Sequence, residues 1–223
     1  MKRAALLFIA LASLVLTGCA TGPSSPAVDT SKLDKIDLLK LLPTRDDVNK
    51  RLGSGWSQET APQEGDLAKA YASVPAPPPA DIATLGKDCA AATDALSAGQ
   101  RRGKTYAAET YYDPTAGGTR LAGWSLIRLA SAADVTASIK VTKTWLTACS
   151  KAASLNPSSQ PLLALKSAVS GAIAYQGSTE DDADRDLVVG YKDILITVFS
   201  RASLGSADAM AQLQLDKLAA ADK

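Results

Sequence analysis

The chain has 223 residues, with 24 basic and 23 acidic side chains and no histidine. Its near-neutral charge argues against a nucleic-acid-binding protein, which would carry a clustered basic face. The lack of histidine excludes Ser-His and Cys-His catalysis and removes the commonest zinc ligand. The composition therefore favours a non-catalytic protein without a cofactor or a metal.

Residues 1–18 have the features of a lipoprotein signal peptide. Two basic residues precede an apolar stretch, residues 4–16, that is too short to span a bilayer comfortably. The stretch leads into Leu16-Thr17-Gly18-Cys19, where small residues lie beside the cleavage point. We expect cleavage before Cys19 and acylation of that residue, with enough acyl chains for stable anchoring on the outer face of a membrane. The alternative is an ordinary secretory signal with an incidental cysteine.

The remaining chain divides into a tether and one domain. Residues 19–32 are rich in Ser, Pro, Gly and Thr, which indicates a flexible tether behind the lipidated cysteine. Residues 33–223 are long enough for one domain with a hydrophobic core.

The domain begins with helical patterns. Leucines at helical spacing predict a helix over residues 33–42, and Thr44 with Asp47 forms a capping-box variant that starts a second, short helix ending at Gly53. Residues 57–80 have few large apolar side chains, so we expect an irregular loop there, with a strand or short helix near residues 67–74.

A longer helix is predicted from Asp81 to Gly99, with Cys89 on its apolar face. Residues 105–112 and 119–129 then read as two strands of a hairpin. A second capping box, Ser131 with Asp134, starts a helix that runs to about residue 151.

The last third is predicted to be mostly strands. Three segments, residues 162–169, 171–178 and 187–201, have strand-like composition, the last divided near residues 192–193. A closing helix over residues 206–218 follows. Short links between strands favour antiparallel pairing, so we predict an α+β fold with a single antiparallel sheet of five to seven strands and helices mainly on one face.

Two cysteines remain after Cys19. Cys89 and Cys149 form an even pair in an exported chain, which indicates a disulfide between two helices. The alternative, a nucleophilic thiol, lacks a histidine partner.

Two sets of side chains are candidate sites. Tyr106, Tyr112 and Trp124 lie on adjacent predicted strands, and a shared uncovered face would make them a ligand surface, although aromatic residues at such positions more often belong to the core. The acidic residues 180–186 have part of the spacing of a calcium loop, but Leu187 replaces the required glycine. A solvated turn is the favoured interpretation of that segment.

Three motifs in the chain are similar to a known family. They are Leu129-Ala130-Ser131-Ala132-Ala133, then Trp145-x-x-x-Cys149, which has one residue more than the family's Trp-x-x-Cys, and a leucine-rich entry over residues 41–49. They resemble the PknH-like extracellular sensor domain of mycobacteria and other actinobacteria, over roughly residues 33–221. The resemblance implies an α+β domain with a ligand-binding cleft and no catalytic residues. The family commonly has two disulfides, whereas this chain offers one, and the lipidation motif indicates a free-standing lipoprotein without a kinase.

Three functions are compatible with these features. The first is a sensor or ligand-binding lipoprotein of the cell envelope, held to the membrane by its lipid and binding a small molecule or lipid. The second is a structural or accessory lipoprotein with an envelope protein as partner. The third, a hydrolase, needs two converging carboxylates, and the sequence nominates no such pair.

Overall fold

A seven-stranded antiparallel sheet forms the centre of the protein in a computed structural model, which describes residues 32–72, 86–113, 120–150, 162–178, 183–201 and 204–223. The order across the sheet is β1-β2-β3-β7-β6-β5-β4. The strands are β1 (Ser57–Asp66), β2 (Thr105–Asp113), β3 (Arg120–Arg128), β4 (Leu163–Leu165), β5 (Ile173–Ser178), β6 (Ala183–Tyr191) and β7 (Ile194–Ser200). The predicted fold class, with a single antiparallel sheet of five to seven strands, is confirmed.

Helices flank the sheet. Two short 3-10 turns, Lys32–Lys35 and Leu38–Leu41, open the described part of the chain. Five α-helices follow within the described ranges: α1 (Arg45–Leu52), α2 (Leu67–Ala72), α3 (Lys87–Arg101), α4 (Ala132–Cys149) and α5 (Leu204–Ala221).

The central strands are apolar on both sides. Neighbouring residues such as Leu126 and Ile127 point to opposite faces and join two different hydrophobic clusters. We call face one the side that carries Leu126, Val189 and Ile196, and face two the side that carries Ile127, Val188 and Leu195. Both clusters are buried, so the sheet has a hydrophobic layer on each side.

The helices lie on both faces, which corrects the expectation that they pack mainly on one. On face one, α5 places Met210 and Leu218 in the same cluster as Leu126 and Val189. On face two, α4 places Val135 against Ile127 and Leu195. The physical reason is the two-sided apolar pattern of β3, β6 and β7, which a helical layer on one side would leave half exposed.

The N-terminal segment forms a strap across face one. Its leucines are buried in the face-one cluster, and Asp37 interrupts the predicted helix by capping the second 3-10 turn, where its carboxylate accepts from Leu39 N at 2.9 Å. Arg128 on β3 donates to the carbonyls of Leu33 and Ile36, at 2.7 and 3.1 Å. We call residues 32–43 the strap.

The capping box that was predicted for α1 is present. Thr44 Oγ1 accepts from Asp47 N at 3.2 Å, and an Asp47 carboxylate oxygen accepts from Thr44 N at 2.8 Å. For α4 only half of the predicted box forms: Ser131 Oγ accepts from Asp134 N at 3.3 Å. The return contact runs instead from the Ser131 hydroxyl to the Asp134 carboxylate, at 2.7 Å.

The strands match the sequence less evenly. The stretch expected to be irregular contains β1, which is exposed along nearly its whole length and pairs with β2 through two irregularities in register. The acidic turn was expected to extend to Asp186, but β6 already begins at Ala183. The division near residues 192–193 is confirmed as the turn between β6 and β7, with Lys192 at φ 51°.

Helix ends also differ from the sequence pattern. Gly99 lies inside α3, which continues to Arg101, and Ser206 lies inside α5. The predicted start of α3 at Asp81 falls outside the described residues.

The predicted disulfide joins α3 to α4. Cys89 and Cys149 are bonded across 60 residues of sequence, and both are buried. Thr93 Oγ1 lies 3.7 Å from Cys149 Sγ and accepts from Trp145 Nε1 at 3.1 Å. Because the sulfur atoms of Cys89 and Cys149 are joined in the disulfide, neither is an available nucleophile.

Gly190 permits the close approach of α4 to β6. A Cβ atom at this position would lie 2.3 Å from Val135 Cγ1 and 3.1 Å from Ile139 Cδ1. We expect Gly190→Ala to lower the free energy of unfolding by about 1–3 kcal/mol because the helix must move away from the sheet. Urea denaturation of the two proteins measures this difference.

Gly99→Ala is the matched control. A Cβ atom there meets only Ser138 Oγ, at 3.8 Å. Since alanine favours helices, this variant should be more stable by about 0.5–1 kcal/mol. Equal effects of the two substitutions would contradict the close-approach explanation.

Candidate functional site

Trp124 belongs to the core of face one. It is 2% exposed, its indole Nε1 donates to Met210 O at 3.2 Å, and its ring meets Tyr111 edge-on with centroids 5.8 Å apart. Its cross-strand partner on β2 is Glu109. The sheet register therefore separates Trp124 from Tyr106 and Tyr112, and the expectation that the three share a face is wrong.

Tyr106 and Tyr112 do share face two, at opposite ends of β2. Tyr106 pairs with Ile127 and packs on the cluster that contains Leu67, so it is part of the core under α2. Tyr112 pairs with Leu121 near the other end of the hairpin. Six residues of strand put the two tyrosines roughly 20 Å apart, so they do not form one site.

Tyr112 lies in a half-buried region of face two on β2, β3 and β7, which we call the upper patch. Within the described ranges, no helix packs extensively on face two of β2 or β3. The half-buried side chains of the upper patch are Ala108, Thr110, Tyr112, Leu121, Ser125, Thr197 and Phe199.

Gly123 lies under the Phe199 ring in the middle of the upper patch. It pairs with Thr110 on one side and with Phe199 on the other. A Cβ at Gly123 would lie 2.1 Å from the Phe199 ring, so the ring lies directly over the glycine. The upper patch therefore combines two half-buried aromatic side chains, Tyr112 and Phe199, with small side chains and with hydroxyl groups that can hydrogen-bond.

The chemistry of the upper patch favours binding over catalysis. Among its described side chains the polar groups are hydroxyls, and the nearest carboxylate in register is Asp186, across from Phe199. A single carboxylate does not provide the acid and base pair that glycoside hydrolysis requires.

A second notable site is buried on face one. Glu109 on β2 is 4% exposed, and its Oε2 lies 3.2 Å from the Tyr111 hydroxyl. Its other oxygen, Oε1, is buried without a hydrogen-bond partner among the described residues. The same hydroxyl of Tyr111 lies 3.1 Å from Pro43 O, in the strap.

Helix α5 supplies two more donors to the strap. Gln214, which is fully buried, donates to Leu41 O at 2.8 Å, and Lys217 Nζ donates to Leu42 O at 2.6 Å. Three successive carbonyls, at residues 41–43, are thus each in contact with a side chain from the core. Lys217 also forms an ion pair with Asp47 at 3.0 Å.

Burial governs the electrostatics of this group. Loss of solvation raises the pKa of Glu109 to about 7, while the Tyr111 hydrogen bond and the charge of Lys217 act in the opposite direction. Burial and the adjacent Glu109 raise the pKa of Tyr111 as well. Burial alone would raise the pKa of Asp47, but its bonds to the Thr44 backbone and to Lys217 bring it below its usual value.

Sequence reasoning missed Glu109, although a signal for it exists. It has the same parity along β2 as Ala107 and Tyr111, both of which are buried. A carboxylate at a core-facing position of an alternating strand predicts a perturbed ionisable group.

The described part of the acidic segment, residues 183–186, belongs to strand β6. Asp184 and Asp186 are paired within the β5–β6 ladder, and residues 180–182 lie outside the described part of the chain. Across the described ranges no cluster of three potential metal ligands occurs. Nor is any helix there long and apolar enough to cross a bilayer.

Comparison with known proteins finds a likeness at the level of structure. No family model and no curated protein matches the chain. The crystal structure of the extracellular domain of PknH from Mycobacterium tuberculosis matches with a TM-score of 0.50 and 11% sequence identity. The match covers 81% of this chain and 94% of that one. The two domains share a fold.

Glu109 makes stability depend on pH in a defined direction. Its pKa is about 7 in the folded protein and 4.5 in the reference state, so the folded state retains the proton between these values. Stability from this group is fully present below about pH 4.5 and is lost as the pH rises through about 7. We expect Glu109→Gln, a permanently neutral mimic, to remove about 1–3 kcal/mol of that pH dependence.

Chemical denaturation at a series of pH values tests this prediction. The difference between wild type and Glu109→Gln isolates Glu109 from the other carboxylates. Glu59→Gln, at an exposed position on β1, is the matched control and should leave the profile unchanged. An identical profile for wild type and Glu109→Gln would refute the assignment.

Proposed function

We propose that the chain is a membrane-anchored lipoprotein of the cell envelope, whose domain is a non-catalytic, sensor-like binder of a small molecule or lipid. The observation that carries this proposal is the fold shared with the extracellular domain of PknH, along most of both chains. The disulfide is consistent with an oxidising compartment outside the cytoplasm. The lipidation motif at Cys19 supplies the anchor and assigns the domain to the extracytoplasmic face.

The upper patch is the ligand surface that we propose. Its aromatic side chains, Tyr112 and Phe199, suit an apolar or aromatic group, and the nearby hydroxyls suit a hydrogen-bonding substituent. Of the three aromatic residues first considered, Tyr112 keeps this role. Tyr106 and Trp124 support the core instead.

A protein partner is the second candidate function. Leu163 on the short edge strand β4 is 49% exposed, the only large hydrophobic side chain so exposed among the described residues. An exposed apolar residue on a sheet edge suits contact with another chain. Affinity capture of an envelope protein, with no small molecule retained, would favour this alternative.

Lipid attachment is tested by metabolic labelling. A bacterial host that expresses the full chain and takes up an alkyne fatty acid should label the wild type. The Cys19→Ala variant should carry no label. On detergent phase separation it should also move from the detergent phase to the aqueous phase. An exported wild-type protein that is cleaved elsewhere and carries no label would contradict the anchor.

Ligand binding is tested by native mass spectrometry of the purified protein. We expect a retained small molecule or lipid in the wild type and at least a tenfold lower occupancy in Thr110→Trp, because the indole would cover the upper patch beside the Phe199 ring. Thr144→Trp, at an exposed position on α4, is the control and should retain the ligand. Equal occupancy in both variants would exclude the upper patch.

A further inference from the structure

Side-chain hydrogen-bond donors of the core hold the strap. One of them, the Tyr111 hydroxyl, also contacts the carboxyl group of Glu109, which can lose a proton. The carbonyls at residues 41 and 42 accept from Gln214 and Lys217, and the third, Pro43 O, lies against the Tyr111 hydroxyl. We propose that Glu109 and Tyr111 form a proton-dependent latch, which holds the strap while Glu109 is neutral and loosens it when Glu109 ionises.

The geometry of Tyr111 carries this proposal. Its hydroxyl oxygen lies 3.1 Å from Pro43 O and 3.2 Å from Glu109 Oε2. A phenol has one hydrogen, so it cannot donate to both oxygens at the same time. Both short contacts can be hydrogen bonds only if Pro43 or Glu109 supplies a second hydrogen. A carbonyl oxygen has none, so the hydrogen must come from a protonated Glu109.

A neutral Glu109 satisfies both contacts. Its carboxyl O–H donates to the Tyr111 oxygen, and the Tyr111 O–H then donates to Pro43 O. Loss of the carboxyl proton to solvent reverses the first bond, because a carboxylate only accepts. The Tyr111 hydrogen then turns to Glu109, and Pro43 O loses its donor from the sheet.

Ionisation also leaves a charge in a costly place. Glu109 is 4% exposed, and its Oε1 has no partner among the described residues. A buried carboxylate with one unpaired oxygen is strongly disfavoured. Movement of the strap away from face one would admit water to that oxygen, so ionisation and loosening favour each other.

No cation among the described neighbours of Glu109 is free to stabilise its carboxylate after the proton is lost. Lys217 on α5 is the nearby cation, but it already contacts Leu42 O and the Asp47 carboxylate on α1. Strand β3 presents the neutral Trp124.

Strand β1 contributes the acidic residues Glu59 and Glu64, both exposed to solvent. With its pKa raised to about 7 by burial, Glu109 changes charge close to neutral pH.

The latch acts on the strap, which follows the proposed tether in the sequence. The strap continues directly from the segment that we assign to the tether, and the two meet at residue 32. In the anchored protein, loosening would alter how the domain is held above the membrane. That consequence rests on the proposed function, whereas the latch itself concerns only contacts within the domain.

Hydrogen exchange measured by NMR on the full chain in detergent micelles tests the latch. Three strap amides report on it, since Ile36 N, Lys40 N and Leu42 N each donate within the strap. After correction for intrinsic exchange rates, their protection in the wild type should fall about tenfold or more between about pH 5.5 and about pH 8. Amides of the central strands β3 and β7 report global unfolding, so they also lose the stability that Glu109 contributes, but they should stay better protected than the strap amides at both pH values.

Two variants make the outcome decisive. Glu109→Gln can donate to Tyr111 at every pH, so its strap should stay protected at about pH 8. Tyr111→Phe removes the donor to Pro43 O and should show low strap protection at both pH values.

The latch is overturned if Glu109→Gln loses strap protection with pH as the wild type does. It is also overturned if strap and β7 amides in the wild type are equally protected at about pH 8, because the strap would then open only when the whole domain unfolds. Neither result depends on lipid labelling or ligand retention, so failure of the latch and failure of the proposed function are distinguishable.

Discussion

The structure depends on the burial of the central strands from both sides. Neighbouring residues such as Val188 and Val189, or Leu195 and Ile196, belong to separate clusters on opposite faces. A sheet with this pattern needs two covering layers. The disulfide-linked pair α3 and α4 lies on one side, and α5 with the strap lies on the other. Each layer approaches the sheet closely where small side chains allow it, as Gly190 does for α4.

The two layers differ in how they are attached. The face-two layer is joined covalently, since Cys89 and Cys149 bind its two long helices together. The strap on face one has only short 3-10 turns, so few of its carbonyls are used within its own backbone. Side chains of Arg128, Gln214 and Lys217 supply the missing donors. Side-chain hydrogen bonds attach the strap specifically, but a change in protonation can alter them. The backbone hydrogen bonds within a helix do not change with protonation.

The sequence predicts the elements better than it predicts their faces. The capping residues Thr44 and Ser131 and the alternation in β2 are local signals, and the structure agrees with them. Strand β1 was missed because an edge strand exposed on both sides has no apolar pattern; its backbone pairing with β2 holds it. The grouping of Tyr106, Tyr112 and Trp124 failed because cross-strand register depends on tertiary pairing. Two adjacent apolar residues in one strand, such as Leu126 and Ile127, already indicated two covered faces.

The two ends of the domain lie side by side. The Lys32 ammonium, at the start of the strap, contacts the backbone oxygen of Lys223, and Lys192 at the β6–β7 turn holds Asp222 at 2.5 Å. A reporter protein fused after Lys223 would therefore emerge beside Lys32, at the start of the strap, and not beside the upper patch. Because the ends are adjacent, a short peptide could also join them, with new ends opened at the opposite end of the sheet, between β2 and β3. Such a circular permutant would present the domain to a surface from a different side while keeping every strand pairing of the sheet.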